Sequence, residues 1–330
     1  MAGTKKKFFS LMHRAVGAGV GAIREDSFSV CFRPPHAKEE TLWGALSFFC
    51  FVFPQRVFFL FCSVSFFLAS FPVCVVFRRA RVGVVWVFSR LLIKAIGMEV
   101  RQHGEKPRPN TRHFFVSNHT CYTDYLVLSS IDFPHSVIMQ AHFGVLGFIQ
   151  RWFFPVTDSV CFERGSGESR ARAKRALRQK MQERRGFPLL VFPEGTCVNN
   201  RFLLRFQKGV FEMGAVACPA AIKYTEDGTV PYWSTRDRSF LRQLFFLMRQ
   251  RKIVGDVWWI PPMQQKKEET AIEFCERVRG EIAKHSGLPR VSWCGYLKHA
   301  RFTGQAGKIR EERRRELGIR LKEMREEAGA

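Results

Sequence analysis

The chain has 330 residues and carries 53 Lys and Arg against 29 Asp and Glu, which leaves a formal charge of +24. Its length suits one large domain with attached segments and is too short for three ordinary domains. The charge implies a polyanionic partner, such as nucleic acid, a phosphorylated coenzyme or acidic lipid, and the 34 Phe, many in one uncharged run, favour a bilayer over nucleic acid.

A basic N-terminal segment, residues 1–41, precedes an apolar run over residues 42–77. Residues 57–77 carry no charge and are long enough to cross a bilayer alone, since a span needs about 20 apolar residues. Alternatively, the two halves of the run form a hairpin that is hinged near Pro54 and enters and leaves on one side. Basic residues flank both ends, and the positive-inside bias therefore favours the hairpin, with the single span left open.

Residues 78–98 alternate basic and bulky apolar side chains. This pattern predicts an amphipathic helix that lies on the membrane surface. The alternative is a helix that belongs to the core of the following domain.

Residues 99–300 alternate between short apolar runs and helical patterns, which predicts a globular α/β domain. We expect strands at residues 113–117, 159–163, 189–192, 220–224 and 253–260, and helices from residue 125 and over residues 168–185 and 269–283. Residues 301–330 predict a charged, solvated helical tail.

The first candidate site is the segment from Asn118 to Asp124, between the first predicted strand and its helix. At such a junction Asp124 can reach His119, fix its tautomer and support a positive charge on the ring. His119 and Asp124 would be two members of a charge-relay triad, and the substrate would supply the third member, the nucleophilic hydroxyl. The structural alternative is that Asn118 or Thr120 caps the helix and His119 is merely nearby.

The second candidate site is Pro193-Glu194-Gly195-Thr196, directly after the strand at residues 189–192. Ligands of α/β proteins bind at the carboxyl ends of strands, where this segment places a carboxylate, a hydroxyl and free backbone N–H groups. The alternative is an ordinary turn, because Pro and Gly end strands without any function.

A third candidate is Arg164, which ends the predicted strand at residues 159–163. A guanidinium can bind a phosphate through two parallel hydrogen bonds. Nothing local distinguishes Arg164 from the many other arginines of the chain.

The ten cysteines contain no C-x-x-C pair, so we expect neither a metal site nor a disulfide framework. Cys121 and Cys197 adjoin the first two candidate sites. Neither has a basic neighbour in the sequence that would activate its thiol, and a nucleophilic cysteine is not expected.

The chain resembles the glycerol-phosphate and lysophospholipid acyltransferase superfamily over about residues 100–300, in the order and spacing of four motifs. These are Asn118-His119-x4-Asp124, Phe162-Glu163-Arg164, Phe192-Pro193-Glu194-Gly195-Thr196 and Cys218-Pro219-Ala220-Ala221. Within it, the stretches FPEGTCVNN, FQKGVFEMG, AIKY and WWIPPM look most like the endoplasmic-reticulum-type glycerol-3-phosphate acyltransferases. The second motif departs from the family pattern, which often begins with a glycine and an aromatic residue where this chain has Asp158 and Cys161.

The resemblance implies a central mixed sheet flanked by helices and an acyl-CoA-dependent O-acyltransferase that acylates the sn-1 hydroxyl of glycerol-3-phosphate. A lysophospholipid acceptor, acylated at sn-2, is the alternative. The residues that it marks are His119 and Asp124 for catalysis, Arg164, Glu194, Gly195 and Thr196 for acceptor binding, and Pro219 for the acyl channel.

Neutral His119 suits the role of general base, because a glycerol hydroxyl cannot attack a thioester until its proton is removed. No metal or cofactor is needed, and acyl-CoA is a co-substrate. The remaining expected partner is the membrane bilayer, with no nucleic acid. The resemblance also implies an endoplasmic reticulum location with the catalytic domain facing the cytosol.

Overall fold

The computed structural model describes residues 28–34, 46–142, 144–162, 175–181, 186–225, 228–235 and 237–298. The chain divides into two compact units, of which the larger is residues 34–294. Within the smaller unit, two short 3-10 helices are described, Ser29–Phe32 and Gly295–Lys298. The predicted tail and most of the basic N-terminal segment lie outside the described residues.

A seven-stranded sheet forms the centre of the larger unit, in the order β1-β8-β7-β2-β5-β3-β4. Its strands are β1 Met98–His103, β2 His113–Ser117, β3 Ser136–Gln140, β4 Val160–Phe162, β5 Leu189–Val191, β7 Val216–Tyr224 and β8 Ile253–Trp259. Every neighbouring pair is parallel except β7 and β8, so the mixed sheet implied by the resemblance is confirmed. β6 Leu203–Arg205 and β9 Arg290–Cys294 pair separately.

Helices cover both faces of this sheet. They are α1 Phe53–Val76, α2 Ala80–Ile96, α3 Thr123–Ser130, α4 Gly144–Thr157, α5 Phe240–Met248 and α6 Ala271–Ser286, with a 3-10 helix at Lys208–Met213. Residues 175–181 are also helical. α2, α3 and α5 contribute to the core on one face, whereas α6 and the 3-10 helix contribute to the core on the other.

The alternation of side chains along the central strands explains why both faces are apolar. On β2, Phe115 belongs to the core under α3, and its neighbours Phe114 and Val116 belong to the core under α6. All three are fully buried. A strand buried on both sides reads as a continuous apolar run, which is why the sequence marks β2 clearly.

The apolar run forms one helix where the sequence favoured two segments hinged near Pro54. A π-helical turn at Phe48–Val52 continues directly into α1, and Pro54 lies in the first turn of that α-helix. The turn directly before Pro54 is π-helical, and this wider turn carries the helix past the missing N–H of the proline. The hinge at Pro54 is therefore wrong, and α1 is long and apolar enough to cross a membrane by length and composition.

The chain reverses after α1 instead, and α2 packs antiparallel against it. The rings of Phe67 and Phe88 lie 5.0 Å apart, and the Ser63 hydroxyl donates to the carbonyl of Phe88 at 3.3 Å. The helix expected within residues 78–98 is confirmed, and it buries Val85 and Ile96 completely. This burial matches the alternative of a core helix, which packs against the domain along one side.

Candidate active site

His119 and Asp124 meet at the carboxyl end of β2. The chain leaves the sheet after Ser117 and enters α3 at Thr123, so the two side chains lie on one short loop and the helix that it opens. His119 Nδ1 is 3.0 Å from Asp124 Oδ2. The Asp124 side chain is fully buried, whereas 18% of the His119 side chain is exposed. A bound molecule could therefore reach the ring, while Asp124 stays behind it.

Asp124 accepts four hydrogen bonds. Besides the His119 ring, its Oδ2 accepts from the backbone N–H groups of Thr120 at 2.6 Å and Cys121 at 2.9 Å. Its Oδ1 accepts from the Tyr224 hydroxyl at 2.6 Å. These donors replace the water that a buried carboxylate loses. Since Oδ2 can only accept, we place the ring proton on Nδ1, which leaves the Nε2 lone pair free to act as a base.

Glu194 holds the backbone of His119. Its Oε1 accepts from the His119 backbone N–H and its Oε2 from the Leu204 N–H, both at 2.8 Å. Val198 N–H donates to the carbonyl of His119 at 2.8 Å, so Glu194 and Val198 hold the backbone of His119 on both sides. Glu194 is 1% exposed, and burial raises the pKa of its carboxyl to about 8 against the lowering effect of these donors. The acceptor-binding role expected of Glu194 stays a prediction.

The His119 ring is enclosed by Phe192 and Cys197, which flank the second candidate site. Phe192 stacks on it with ring centroids 4.3 Å apart and an interplanar angle of 20°. Cys197 forms a hydrogen bond with it. No basic residue lies beside Cys197 in the sequence. The fold brings His119, which lies 78 positions earlier in the chain, next to it.

The protonation of His119 depends on these neighbours. Burial lowers its pKa, but negative charge on Cys197, hydrogen bonds with Asp124 and Cys197 and the charge of Asp124 outweigh burial and raise the pKa to about 10. Only the neutral form of the ring can act as a base.

Two asparagines continue the hydrogen bonding of β7 beyond the end of β2. The Asn118 amide donates to the carbonyl of Ile222 and accepts from its N–H, both at 2.8 Å. The Asn200 amide does the same for Tyr224, at 2.8 and 3.2 Å. Together they fix the backbone that carries the Tyr224 hydroxyl. Sequence reasoning missed Tyr224 and Asn200, although both lie in stretches that carried the resemblance.

The other predicted site residues divide into three groups. Gly195 is exposed, with a φ of 68° in the left-handed region that favours glycine, and Thr196 beside it is 7% exposed. Pro219 is buried within β7, opposite Val116 of β2. Arg164 lies outside the described residues. The roles predicted for all four stay predictions.

Among the residues that the structure describes, no group of three or more His, Cys, Asp and Glu side chains could hold a metal ion.

Comparison with known proteins gives the family of the central segment. Residues 99–223 match the family model described as Acyltransferase. "Glycerol-3-phosphate acyltransferase 4" of Mus musculus is 32% identical over 265 residues, which are 78% of this chain and 58% of that protein. "Glycerol-3-phosphate acyltransferase 3" of Gallus gallus is 35% identical over 213 residues, 64% and 48% of the two chains. The chain thus spans about half the length of the curated relatives it matches.

One solved structure superposes on the chain with a TM-score of 0.49 at 16% identity, covering 70% of this chain and 93% of the other. It is the 1-acyl-sn-glycerophosphate (LPA) acyltransferase PlsC from Thermotoga maritima.

Proposed function

Because residues 99–223 belong to the acyltransferase family, we propose that the chain transfers an acyl group from acyl-CoA to the sn-1 hydroxyl of glycerol-3-phosphate, giving lysophosphatidate. The observation that carries the proposal is the buried Asp124 carboxylate 3.0 Å from Nδ1 of a partly exposed His119. The curated relatives are named for glycerol-3-phosphate, which supports this acceptor over a lysophospholipid.

His119 acts as the general base in the proposed reaction. Its Nε2 takes the proton of the acceptor hydroxyl while the hydroxyl oxygen bonds to the thioester carbonyl carbon. Asp124 keeps the Nδ1–H in place and stabilises the imidazolium that forms. When the tetrahedral intermediate collapses, the carbon–sulfur bond breaks and coenzyme A leaves as a thiolate, which takes the proton from His119. No bond between the protein and the acyl group is needed, nor is a metal or cofactor.

Cys197 affects this scheme through the pKa of His119, which it raises. A protonated ring cannot accept the hydroxyl proton, so the productive state is the one in which His119 is neutral. The acceptor hydroxyl replaces Cys197 as the hydrogen-bond partner of the ring when it binds. Cys197 thereby lowers the fraction of free base without taking part in bond formation.

The acceptor is held by a different set of groups in this proposal. Arg164 binds the phosphate, and the exposed turn at Gly195 with the Thr196 hydroxyl contacts the glycerol. Pro219 lines the channel for the acyl chain. Arg164→Lys should raise KM for glycerol-3-phosphate more than it lowers kcat, because a guanidinium binds phosphate through two parallel bonds and an ammonium does not.

We also propose that the protein works at the endoplasmic reticulum membrane with its catalytic domain facing the cytosol. Support comes from the family resemblance, from the apolar α1 and from the basic residues that follow it, Arg78, Arg79 and Arg81.

The direct test is an assay of membranes containing the full chain, with labelled acyl-CoA and either glycerol-3-phosphate or lysophosphatidate. We expect turnover with glycerol-3-phosphate, and its loss in His119→Ala. Turnover with lysophosphatidate alone would refute the acceptor, and full activity of the variant would refute the base.

A further inference from the structure

Arg279 is a buried arginine on α6 that no step of the proposed reaction uses. It is 5% exposed, and its guanidinium contacts α6, β6 and β9. Nη2 donates to the carbonyl of Leu203 at 2.9 Å and to that of Val291, and Nη1 donates to Glu276 at 2.8 Å. The remaining donor, Nε–H, has no partner among the described residues. A buried guanidinium with an unpaired donor costs free energy, so packing alone does not explain this residue.

The peptide group between Leu203 and Leu204 joins Arg279 to Glu194. Its carbonyl accepts from Arg279 at 2.9 Å, and its N–H donates to Glu194 Oε2 at 2.8 Å. The carbonyl and the N–H of a trans peptide point in opposite directions, so the guanidinium and the carboxylate lie at the two ends of this group. A cation at the carbonyl polarises the peptide group and makes its N–H a stronger donor to the carboxylate.

The strand that contains this peptide group, β6, is short and weakly paired. It has three residues and pairs only with β9 among the described strands, with a register shift between Leu203 and Arg205. A pair of two strands is marginally stable by itself. Arg279 donates to both strands, to Leu203 on β6 and to Val291 on β9, and so connects them where the pairing is irregular. The position of the Leu204 N–H therefore depends on Arg279.

The charge of Arg279 also affects Glu194 directly. Glu194 accepts from the N–H groups of His119 and Leu204, and it does so most strongly as a carboxylate, because a proton on either oxygen would weaken one of these bonds. Burial raises the pKa of its carboxyl to about 8, and the charges of His119 and Arg279 both act to lower it. His119 must be neutral to act as a base, and in that state the charge of Arg279 remains.

We propose that Arg279 is a positioning residue of the acyl-transfer site, acting on the backbone of His119 through the Leu203–Leu204 peptide group and Glu194. It holds β6 in place and keeps Glu194 a strong acceptor, and Glu194 in turn holds the His119 N–H. Such support matters to the rate because a displacement of about 1 Å of a reacting group can cost about 100-fold. The inference rests on the proposed function, since it gives Arg279 a part in the same reaction.

Substitutions at position 279 test this role by initial-rate kinetics on membranes that carry the full chain. Arg279→Met removes the charge and the donors, so kcat should fall about tenfold with KM for glycerol-3-phosphate little changed. Arg279→Lys keeps the charge and a donor for the Leu203 carbonyl, and should recover most of kcat. Arg279→Gln replaces Arg279→Met if the latter does not reach the wild-type level in membranes. Wild-type kcat without the charge, or equal losses with and without it, would overturn the proposal.

Arg277→Met is the matched control on the same helix. Arg277 donates to Glu269 at 2.6 and 2.7 Å and to the carbonyl of Gln264 at 2.7 Å, and its described hydrogen bonds do not reach β6, β9 or Glu194. Its kcat should stay within about twofold of wild type, because a partly exposed ion pair contributes little. A loss equal to that of Arg279→Met would mean that kcat responds to any damage to α6, and would contradict a specific role for Arg279.

A double-mutant cycle shows whether Arg279 acts through Glu194. In the Glu194→Gln background, Arg279→Met should lower kcat far less than it does in wild type, because the connection to His119 is already weakened. Equal losses in both backgrounds would assign Arg279 a general structural role and overturn the proposal. The same cycle in Tm needs no substrate, and the double variant should shift less than the sum of the single shifts. Absence of wild-type turnover would thus refute the proposed function alone, whereas additive Tm shifts would overturn the role of Arg279.

Discussion

Removal of the Tyr224 hydroxyl tests whether Asp124 must be held from both sides. The hydroxyl donates to Asp124 Oδ1 at 2.6 Å, and both side chains are buried. Burial and the Asp124 charge raise the pKa of Tyr224 above its usual value, so it remains a donor at physiological pH. In Tyr224→Phe one carboxylate oxygen loses its only described donor, at a cost of about 1–3 kcal/mol.

Part of this cost should fall on the transition state, in which Asp124 stabilises the imidazolium. About 1.4 kcal/mol corresponds to a tenfold change in rate, so we expect kcat to fall roughly 10- to 100-fold with KM for glycerol-3-phosphate little changed. The assay is initial-rate kinetics on membranes with labelled acyl-CoA. The structure supplies a matched control in Tyr122, whose buried hydroxyl has no hydrogen-bond partner among the described residues.

Tyr122→Phe should leave kcat within about twofold of wild type, because it removes a hydroxyl that forms no described bond. Wild-type kcat in Tyr224→Phe would refute the positioning role of Tyr224. Equal losses in the two variants would do the same, since they would point to general sensitivity of the aromatic packing.

Three further outcomes follow from the same geometry. Cys197→Ala removes the charge that raises the pKa of His119, so the acidic limb of kcat/KM against pH should move to lower pH. The control variant Cys121→Ala should leave this limb in place. Loss of all activity in Cys197→Ala would instead indicate a covalent role for the thiol. Glu194→Gln turns an amide N–H toward the backbone N–H of His119 or Leu204, so one of these N–H groups loses its acceptor. The free energy of unfolding, measured by denaturant titration, should fall by about 1–3 kcal/mol, and kcat should fall as well. Asn200→Ala leaves the N–H and the carbonyl of Tyr224 without their partners and places an alanine at a φ of 61°. The Tm in thermal melting should therefore be several degrees lower than that of wild type. An unchanged Tm would contradict the pairing.

The part of the site that could be predicted from sequence is the part that is local. His119 and Asp124 lie on one loop and helix start, where a spacing of five residues limits their separation, and the contact at 3.0 Å agrees with that expectation. Tyr224 reaches Asp124 from 100 positions away, and only the pairing of β7 with β2 brings it there. Spacing alone carries no information about such a partner.

The fold shows the same division. β2 is bounded as predicted because it is buried on both faces and reads as an apolar run. β1 was missed because it lies at the edge of the sheet and does not read as an apolar run. Four of its six residues are polar and exposed, namely Glu99, Arg101, Gln102 and His103. The hinge at Pro54 was wrong because a π-helical turn carries the helix past this proline, and α1 likewise continues past Pro72.

Asn118 and Asn200 have a consequence for how the sheet opens. Separating two paired strands usually costs free energy, because each strand is left with a row of unpaired backbone N–H and C=O groups. An asparagine amide carries a donor and an acceptor in one plane, as a peptide group does, and can take the place of the departing neighbour. β2 can therefore leave the sheet at Ser117 while β7 continues to Tyr224 with its backbone fully paired. The sheet therefore opens between β2 and β7 without leaving the β7 backbone unpaired, because two short side chains take the place of the missing strand.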